Sequence, residues 1–356
     1  MHQVTLIPGD GIGPEITAAM KRVVEATGVD IAWDVQEAGE AVMESEGTPL
    51  PDRVIDSIKR NKVAIKGPIT TPVGTGFRSI NVALRKALDL YINLRPAKTY
   101  GADRYGQMPD ARPIDIVIFR ENTEDLYAGI EFEAGSDDAA KLRSCLAELG
   151  GKVRDDAAIS IKPISEFGTR RIVRAAFEYA LANGRKKVTC VHKANIMKHT
   201  DGLFLQIARE IAEEYAEHGI EFEDAIVDAA CMRLVMDPSQ FDVMVMANLY
   251  GDILSDVCAG LVGGLGIAPG ANIGDNEALF EPVHGSAPKR AGQGIANPTA
   301  LILSSAMMLR HLGESEAAAS IENAVADVIT KRETVTYDLG GKASTEEYAD
   351  AIIAAL

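Results

Sequence analysis

Apolar residues follow two rhythms along this chain. Short runs, VTLI (4–7), KVAI (62–65), DIVIF (115–119), KVTCV (187–191) and FDVMVM (241–246), alternate with longer stretches of helical period. That alternation predicts a layered α/β protein. In TRRIVRAAFEYALANG (169–184) the apolar Ile172, Val173, Ala176, Phe177, Ala180 and Leu181 recur at three- and four-residue spacing, and Asn183 with Gly184 supplies a stop. Near the C-terminus Ser344 and Glu347 are spaced as a capping box ahead of a helix that places Tyr348, Ile352 and Leu356 on one face. Ahead of both, EAGSDDAAKLRSCLAELGGKVRDDAAI (133–159) breaks the rhythm: it is polar, punctuated by glycine and carries one short amphipathic piece. It reads either as an inserted element for oligomerisation or as a long surface loop.

Composition narrows the class. The 356 residues are 47% hydrophobic and 25% charged, enough for a large buried core and ordinary for a globular protein. A net charge of −16 argues against a nucleic-acid partner, because phosphate binding needs a surplus of Lys and Arg on some face. The four cysteines, Cys145, Cys190, Cys231 and Cys258, show no CxxC spacing and read as buried thiols of a reducing compartment. No basic region with an apolar stretch and cleavage site leads the chain, and AGLVGGLGIAPGA (259–271) is too short and too rich in glycine to span a membrane. A cytoplasmic protein is expected.

Against that acidic background, clustered cations stand out. In FRSINVALRKALDLYINLRPA (77–97) a helix is expected to begin near Ser79, with Asn81 and Arg85 four apart on one face and Arg95 where LRP ends the element. Arg120 closes the strand before ENTEDLYAG. Three arginines at element ends suggest a pocket for a polycarboxylate, since the guanidinium fork matches paired carboxylate oxygens. Three ion-paired surface arginines would look the same in sequence. NLYGDILSD places Asp252 and Asp256 at i and i+4, where like charges repel by about a few tenths of a kcal/mol unless a cation lies between them. With Asp228 they would suit Mg²⁺ or Mn²⁺, which favour a few carboxylates plus water or substrate oxygens, although a solvated acidic helix face is the alternative. Lys193 follows a strand and Tyr127 lies in ENTEDLYAG, so both could serve proton transfer. The loop FEPVHGSAPKRAGQGIANPTA (280–300) could wrap an adenosine moiety or be a plain connection.

The N-terminal VTLIPGDGIGPEI (4–16) outlines a phosphate cradle, yet its spacing is G-x-G-x-G rather than G-x-G-x-x-G, with Pro14 after the third glycine. It reads as a tight strand-to-helix turn rather than as a Rossmann fingerprint.

Taken in order, IPGDGIGPEI, AIKGPITTPVGTGFRSINVALRKALDLYINLRPA, FRENTEDLYAGIE, VHKANIMKHTDGLF, NLYGDILSDVCAGLVGGLGIAPGANIG and HGSAPKRAGQGIANPTA resemble the metal-dependent β-decarboxylating dehydrogenase family, which includes isocitrate, 3-isopropylmalate, homoisocitrate and tartrate/malate enzymes. The resemblance implies that family's non-Rossmann α/β fold. It implies a discontinuous large domain (1–90 and 263–356), a small domain (91–124 and 166–262) and a clasp-like insert for dimerisation (125–165). Ser79 and Asn81 match the isocitrate pattern, since an isopropyl group would leave a hydroxyl and an amide unpaired. The resemblance further implies substrate contacts from Lys66, Thr70, Ser79, Asn81, Arg85, Arg95, Arg120 and Asn195. It implies a metal held by Asp228, Asp252 and Asp256, and proton transfer by Tyr127 and Lys193. Asp228 and Lys193 would reach across from a second subunit, which makes a homodimer with shared sites the expected assembly. Cofactor contacts would come from Ile12, Thr70, His284, Gly285, Ala287, Lys289, Arg290, Asn297, Tyr337 and Asp338. Lys289 and Arg290 stand where NAD-using relatives carry an acid, and with Tyr337 they favour NADP over NAD, although Gly341 departs from the arginine of many NADP enzymes. The alternatives are an NAD-dependent isocitrate enzyme, a homoisocitrate or 3-isopropylmalate dehydrogenase, and a ligand-binding regulatory subunit without turnover.

Overall fold

The computed structural model describes all residues except 71–78 and 101–112, together with the side chains of 41 and 44. The part of the family stretch over 71–78 therefore lies outside the described residues. The strands are β1 (His2–Ile7), β2 (Ile31–Val35), β3 (Val63–Lys66), β4 (Ile92–Lys98), β5 (Asp115–Glu121), β6 (Glu131–Phe132), β7 (Ile159–Ser160), β8 (Lys187–His192), β9 (Glu221–Ile226), β10 (Val243–Met246), β11 (Pro269–Ile273) and β12 (Ala278–Pro282). The helices are α1 (Gly13–Ala26), α2 (Glu40–Glu46), α3 (Asp52–Asn61), α4 (Ile80–Ala87), α5 (Asp137–Glu148), α6 (Glu166–Ala182), α7 (Thr200–Glu214), α8 (Val227–Met236), α9 (Asn248–Val262), α10 (Thr299–His311), α11 (Ser315–Lys331) and α12 (Thr345–Ala355).

Among the described residues ten strands form one sheet in the order β2-β1-β3-β12-β11-β4-β5-β10-β8-β9. Two parallel blocks, β2-β1-β3-β12 and β5-β10-β8-β9, meet through the antiparallel β11 and β4. The β-branched runs read from the sequence are the parallel strands, apolar throughout because helices cover both faces. Helix α10 is buried without a break from Thr299 to Ala306, as expected for a helix apolar all round. The α6 face is buried at Ile172, Val173, Ala176, Phe177 and Ala180, whereas Leu181, in the last turn, is 47% exposed. The capping box of Ser344 and Glu347 is formed, and Tyr348 and Ile352 are buried; Leu356 lies past the helix end.

Two expectations need correction. Arg95 does not end an element: β4 continues through Pro96 to Lys98. Proline is tolerated there because β11 pairs with β4 only over Ile92–Leu94, so Pro96 faces β5 alone and its missing N–H breaks no ladder on the other side. Nor are all four thiols buried, since Cys145 is exposed on α5, where the insert offers no core to cover it. That insert consists of α5 flanked by the two-stranded ladder β6-β7, and it is therefore structured rather than a bare loop. Among the described residues, no helix is long and apolar enough to cross a membrane.

Candidate active site

The pleat and register of β4, β5, β11 and β12 put a set of polar side chains on one face of the sheet. Asn93 stands opposite Arg120 and Asn272, and Glu281 opposite Gly270, so Asn93, Arg95, Arg120, Asn272 and Glu281 project the same way. Each is buried. Glu281 anchors the group: its carboxylate pairs with Lys66 Nζ at 2.6 Å and Arg85 Nη2 at 3.0 Å, and accepts from Asn272 Nδ2 at 2.7 Å. Burial works to raise the Glu281 carboxyl, but Lys66 and Arg85 outweigh it and hold it well below the ordinary carboxylate range. Asn272 Oδ1 in turn accepts from Asn93 at 2.7 Å and Asn122 at 3.0 Å.

Helix α9 lies over this face. Its Gly251 passes so close that a Cβ there would sit 2.4 Å from Arg120 Cγ and 2.5 Å from its Cβ. This explains a glycine inside an otherwise helical NLYGDILSD. The close approach brings Asp252 onto the guanidinium of Arg120, whose Nε also donates to Asn248 Oδ1 at 2.9 Å. Arg95 Nη1 donates to Ser255 Oγ at 2.6 Å and lies 3.5 Å from Asp252 and 3.9 Å from Asp256. Tyr127, on the turn after β5, donates its hydroxyl to Asp252 Oδ2, and Arg120 stacks 4.8 Å from its ring centroid. Gly251→Ala is expected to push α9 off Arg120, lowering turnover about tenfold while the melting temperature falls; kinetics and thermal unfolding of the same preparation check this.

The electrostatics favour an anionic ligand. Burial, with Arg95 and Arg85 nearby, pushes Arg120 below the usual guanidinium range, and its buried Nη2 has no hydrogen-bond partner among the described residues. Arg85 Nε and Asn81 Oδ1 are likewise buried and unpartnered. The orphan N–H groups of Arg85 and Arg120 mark where a ligand's oxygens would go, and the Asn81 oxygen, an acceptor, where a ligand's donor would. Burial raises Asp252, yet Arg120, the Tyr127 hydroxyl and Arg95 together bring it below the ordinary range; Asp256, 58% exposed, is raised by burial. Burial and the Asp252 hydrogen bond raise the Tyr127 hydroxyl, which stays protonated at neutral pH.

Thus Lys66, Arg85, Arg95, Arg120, Tyr127, Asp252 and Asp256 come together in one chain. Lys193 and Asp228 do not join them. They form an ion pair of their own, while Asn195 is exposed. Among the described residues no group of three His, Cys, Asp or Glu converges on a metal position. The oxygen donors of Asp252 and Asp256 suit a hard divalent cation, and a single chain supplies two of the three carboxylates expected. Ser79 caps the start of α4 by position, without a side-chain cap bond.

A second cavity, of about 320 Å³, is lined by Ile12, His284, Gly285, Ala287, Arg290, Asn297, Tyr337 and Asp338, with Gly266 and Ala296. The Arg290 guanidinium stacks 4.5 Å from the Tyr337 ring centroid. Asp338 is held by Asn297 Nδ2 at 2.9 Å and Thr336 Oγ1 at 2.6 Å. His284 is lowered by burial, and its Nε2 is buried without a partner. These groups fit a nucleotide: an aromatic face with a cation, hydrogen-bonding side chains and an open glycine. Lys289 and Arg290 are both exposed, but only Arg290 lines the cavity, because the turn at 288–290 sets its guanidinium over Tyr337.

The glycine loop works by close backbone packing. Gly9 and Gly11 have φ of 79° and 60°, and Cβ atoms there would lie 2.2 Å from the Pro68 carbonyl oxygen and 2.1 Å from that of Ser286. Ile12 N–H donates to Ser286 O, and Thr70 and Ser286 hydroxyls bond at 2.6 Å. Asp10 accepts from the backbone of Thr70 and Glu40. Thr70 accordingly ties the segment after β3 to the Ser286 loop and does not line this cavity. Sequence reasoning missed Glu281, Asn93, Asn122, Asn272, Asp10 and Ser286; for Glu281 the signal was one charge inside the apolar run ALFEPV.

Residues 3–352 match the isocitrate/isopropylmalate dehydrogenase family. The chain is 48% identical over 354 residues, 99% of it and 91% of the relative, to a mitochondrial isocitrate dehydrogenase (NAD) regulatory subunit of Dictyostelium discoideum. It is 44% identical to the isocitrate dehydrogenase (NADP) of Archaeoglobus fulgidus, covering 97% of this chain and 90% of the other. The crystal structure of isocitrate dehydrogenase from Methylococcus capsulatus superposes with a TM-score of 0.89 at 53% identity, covering 100% and 99% of the two chains. With a family match over nearly the whole chain, relatives 44–53% identical and the same mixed α/β fold, the chain belongs to the isocitrate/isopropylmalate dehydrogenase family.

Proposed function

We propose that this protein oxidatively decarboxylates isocitrate to 2-oxoglutarate and CO₂, with Mg²⁺ or Mn²⁺ and preferentially NADP⁺. The observation that carries the reading is the buried cluster of Lys66, Arg85, Arg95 and Arg120, with unpartnered N–H donors on Arg85 and Arg120, beside two carboxylates and a protonated tyrosine. Four cations around one space suit a tricarboxylate far better than an isopropyl group, and the polar Ser79 and Asn81 extend that preference.

In this reading the arginines and Lys66 bind and orient the carboxylates, which lowers the entropic cost of reaction. Lys193 takes the proton of the C2 hydroxyl as hydride leaves C2, and Tyr127 gives a proton to C3 after CO₂ departs. Tyr127 suits that role because Asp252 and burial keep its proton on at neutral pH. Asp228, Asp252 and Asp256 would hold the divalent cation, which supplies a Lewis acid to steady negative charge on the substrate oxygens. The second cavity would hold the dinucleotide, which accepts the hydride.

Asp228 and Lys193 enter the reading through a second copy of the chain. Met232, Val235 and Met236 are exposed on the same face of α8 as Asp228, and Ile253 is exposed beside Asp252 on α9. An apolar face next to an incomplete set of carboxylates supports a homodimer with shared sites, in which 125–165 would clasp the partner. A spectrophotometric assay with isocitrate and Mn²⁺, run in parallel with both nucleotides, homoisocitrate and 3-isopropylmalate, tests the reading. Binding of isocitrate without reduction of either nucleotide would instead favour the regulatory reading, which the name of the Dictyostelium relative brings forward.

The NADP preference rests on Arg290 over Tyr337, a cation and a hydroxyl available to a 2′-phosphate. Arg290→Asp is expected to move the NADP⁺/NAD⁺ ratio of kcat/KM toward NAD⁺ by about 100-fold, since a charge-assisted bond is lost and a like charge introduced. An unchanged ratio would remove Arg290 from nucleotide selection.

A further inference from the structure

Lys162 has no role in the chemistry proposed so far, yet it sits between the supports of both proton-transfer groups. Its Nζ lies 2.8 Å from Asp201 Oδ1 and 3.6 Å from Asp125 Oδ1, and 4.6 Å from the Tyr250 ring centroid. Both carboxylates are almost wholly buried. Asp125 opens the turn that carries Tyr127 and adopts φ 66°, a left-handed conformation that a non-glycine residue holds only when its surroundings fix it. Three contacts do so. Asp125 N–H donates to Pro163 O at 3.0 Å, Oδ2 accepts from Leu249 N at the start of α9 at 2.8 Å, and Oδ1, which has no hydrogen-bond donor, faces the Lys162 ammonium. On the other side, Asp201 Oδ2 accepts from the backbone N–H of Lys193 at 2.7 Å, at the mouth of the loop that carries that lysine.

We propose that Lys162 is a positioning residue for two active sites at once: it sets Tyr127 in the chain's own site through Asp125, and Lys193, which serves the partner's site, through Asp201. The inference rests on the proton-transfer roles and shared sites proposed above. The ammonium balances two buried carboxylates whose remaining oxygens each fix one catalytic segment. Without it, repulsion between Asp125 and Asp201 works directly against both arrangements.

The test compares Lys162→Met and Lys162→Arg with Tyr127→Phe and Lys193→Met, by kcat, KM for isocitrate, dimer content and melting temperature. A shift of about 1 Å at a reacting group costs about 100-fold in rate, so Lys162→Met is expected to lose about that in kcat with KM within twofold. Lys162→Arg keeps the charge in a different shape and is expected to lose about tenfold while folding as wild type, which decides the matter should the methionine variant not fold. Mixed dimers add a readout that a purely local or structural role would not move. One Lys162→Met chain spoils Tyr127 in its own site and Lys193 in the other, so a dimer with one wild-type chain is expected to keep far less than half the activity. Near-wild-type kcat for the Lys162 variants, with Tyr127→Phe and Lys193→Met strongly impaired, overturns the positioning role alone. If Tyr127→Phe and Lys193→Met turn over normally, the proton-transfer assignment fails and the inference goes with it.

Discussion

Glu281→Ala is expected to destabilise the protein by about 3–5 kcal/mol, because the carboxylate is nearly alone in balancing two buried cations. Lys66 and Arg85 are both more than nine-tenths buried and both pair with it, and Asn272 donates to it as well. Removing it leaves two positive charges facing each other in a dry site. Chemical denaturation of wild type and variant at neutral pH measures the loss, and a change below about 1 kcal/mol would show that the site reorganises or admits water. Glu281→Gln separates charge from shape, because the amide still fills the space. Glu281 is depressed in the folded state, so its contribution is fully present above the ordinary carboxylate range and is lost as pH falls through the folded value. The gap between wild type and Glu281→Gln is therefore widest near neutrality and closes on strong acidification. A gap independent of pH would mean that the charge is not what stabilises.

The second large effect is on activity. Asp252→Asn is expected to lower kcat/KM for isocitrate by about 1,000-fold, near 4 kcal/mol of transition-state stabilisation, with little change in stability. One carboxylate serves three partners: Arg120, which is 1% exposed, the Tyr127 hydroxyl, and Arg95 at 3.5 Å. The amide keeps the volume and one acceptor, and Asp252 is 38% exposed, so the fold tolerates the change. The chemistry does not, because the substitution removes a metal-binding charge and weakens the hold on the tyrosine's proton together. Titrating Mn²⁺ divides the two: recovery at high metal assigns the loss to cation affinity, whereas a low kcat at saturating metal assigns it to Tyr127 and Arg120. Full activity at ordinary Mn²⁺ would refute the assignment of Asp252 to the site.

The candidate site was legible chiefly through ordered motifs that resemble a known family, since local spacing alone left each group open to a plain surface reading. Asp252 and Asp256 lie one helical turn apart, Tyr127 follows a strand end by a few residues, and Arg85 sits one turn into its helix. Periodicity likewise marked the parallel strands and the buried face of α6, since an element that packs on one side must repeat its apolar residues in phase. Arg95 shows where such reasoning stops. Proline after it reads as an end, and only the short pairing of β11 with β4 makes room for the strand to continue.

The glycine loop shows the same division. Its irregular spacing argued against a Rossmann cradle, but that the glycines admit the carbonyls of Pro68 and Ser286 could not be read from residues some sixty and nearly three hundred positions away. By itself the sequence determined the layered α/β class, the helix faces and caps, and the residue types able to bind a tricarboxylate, because these follow from nearest neighbours along the chain. Only the tertiary structure decided that Glu281 pairs with both Lys66 and Arg85, that Gly251 lets α9 settle on Arg120, and that Arg290 rather than Lys289 lies over Tyr337. Burial and charge balance are properties of what surrounds a side chain, and those surroundings are assembled from strands far apart in the sequence.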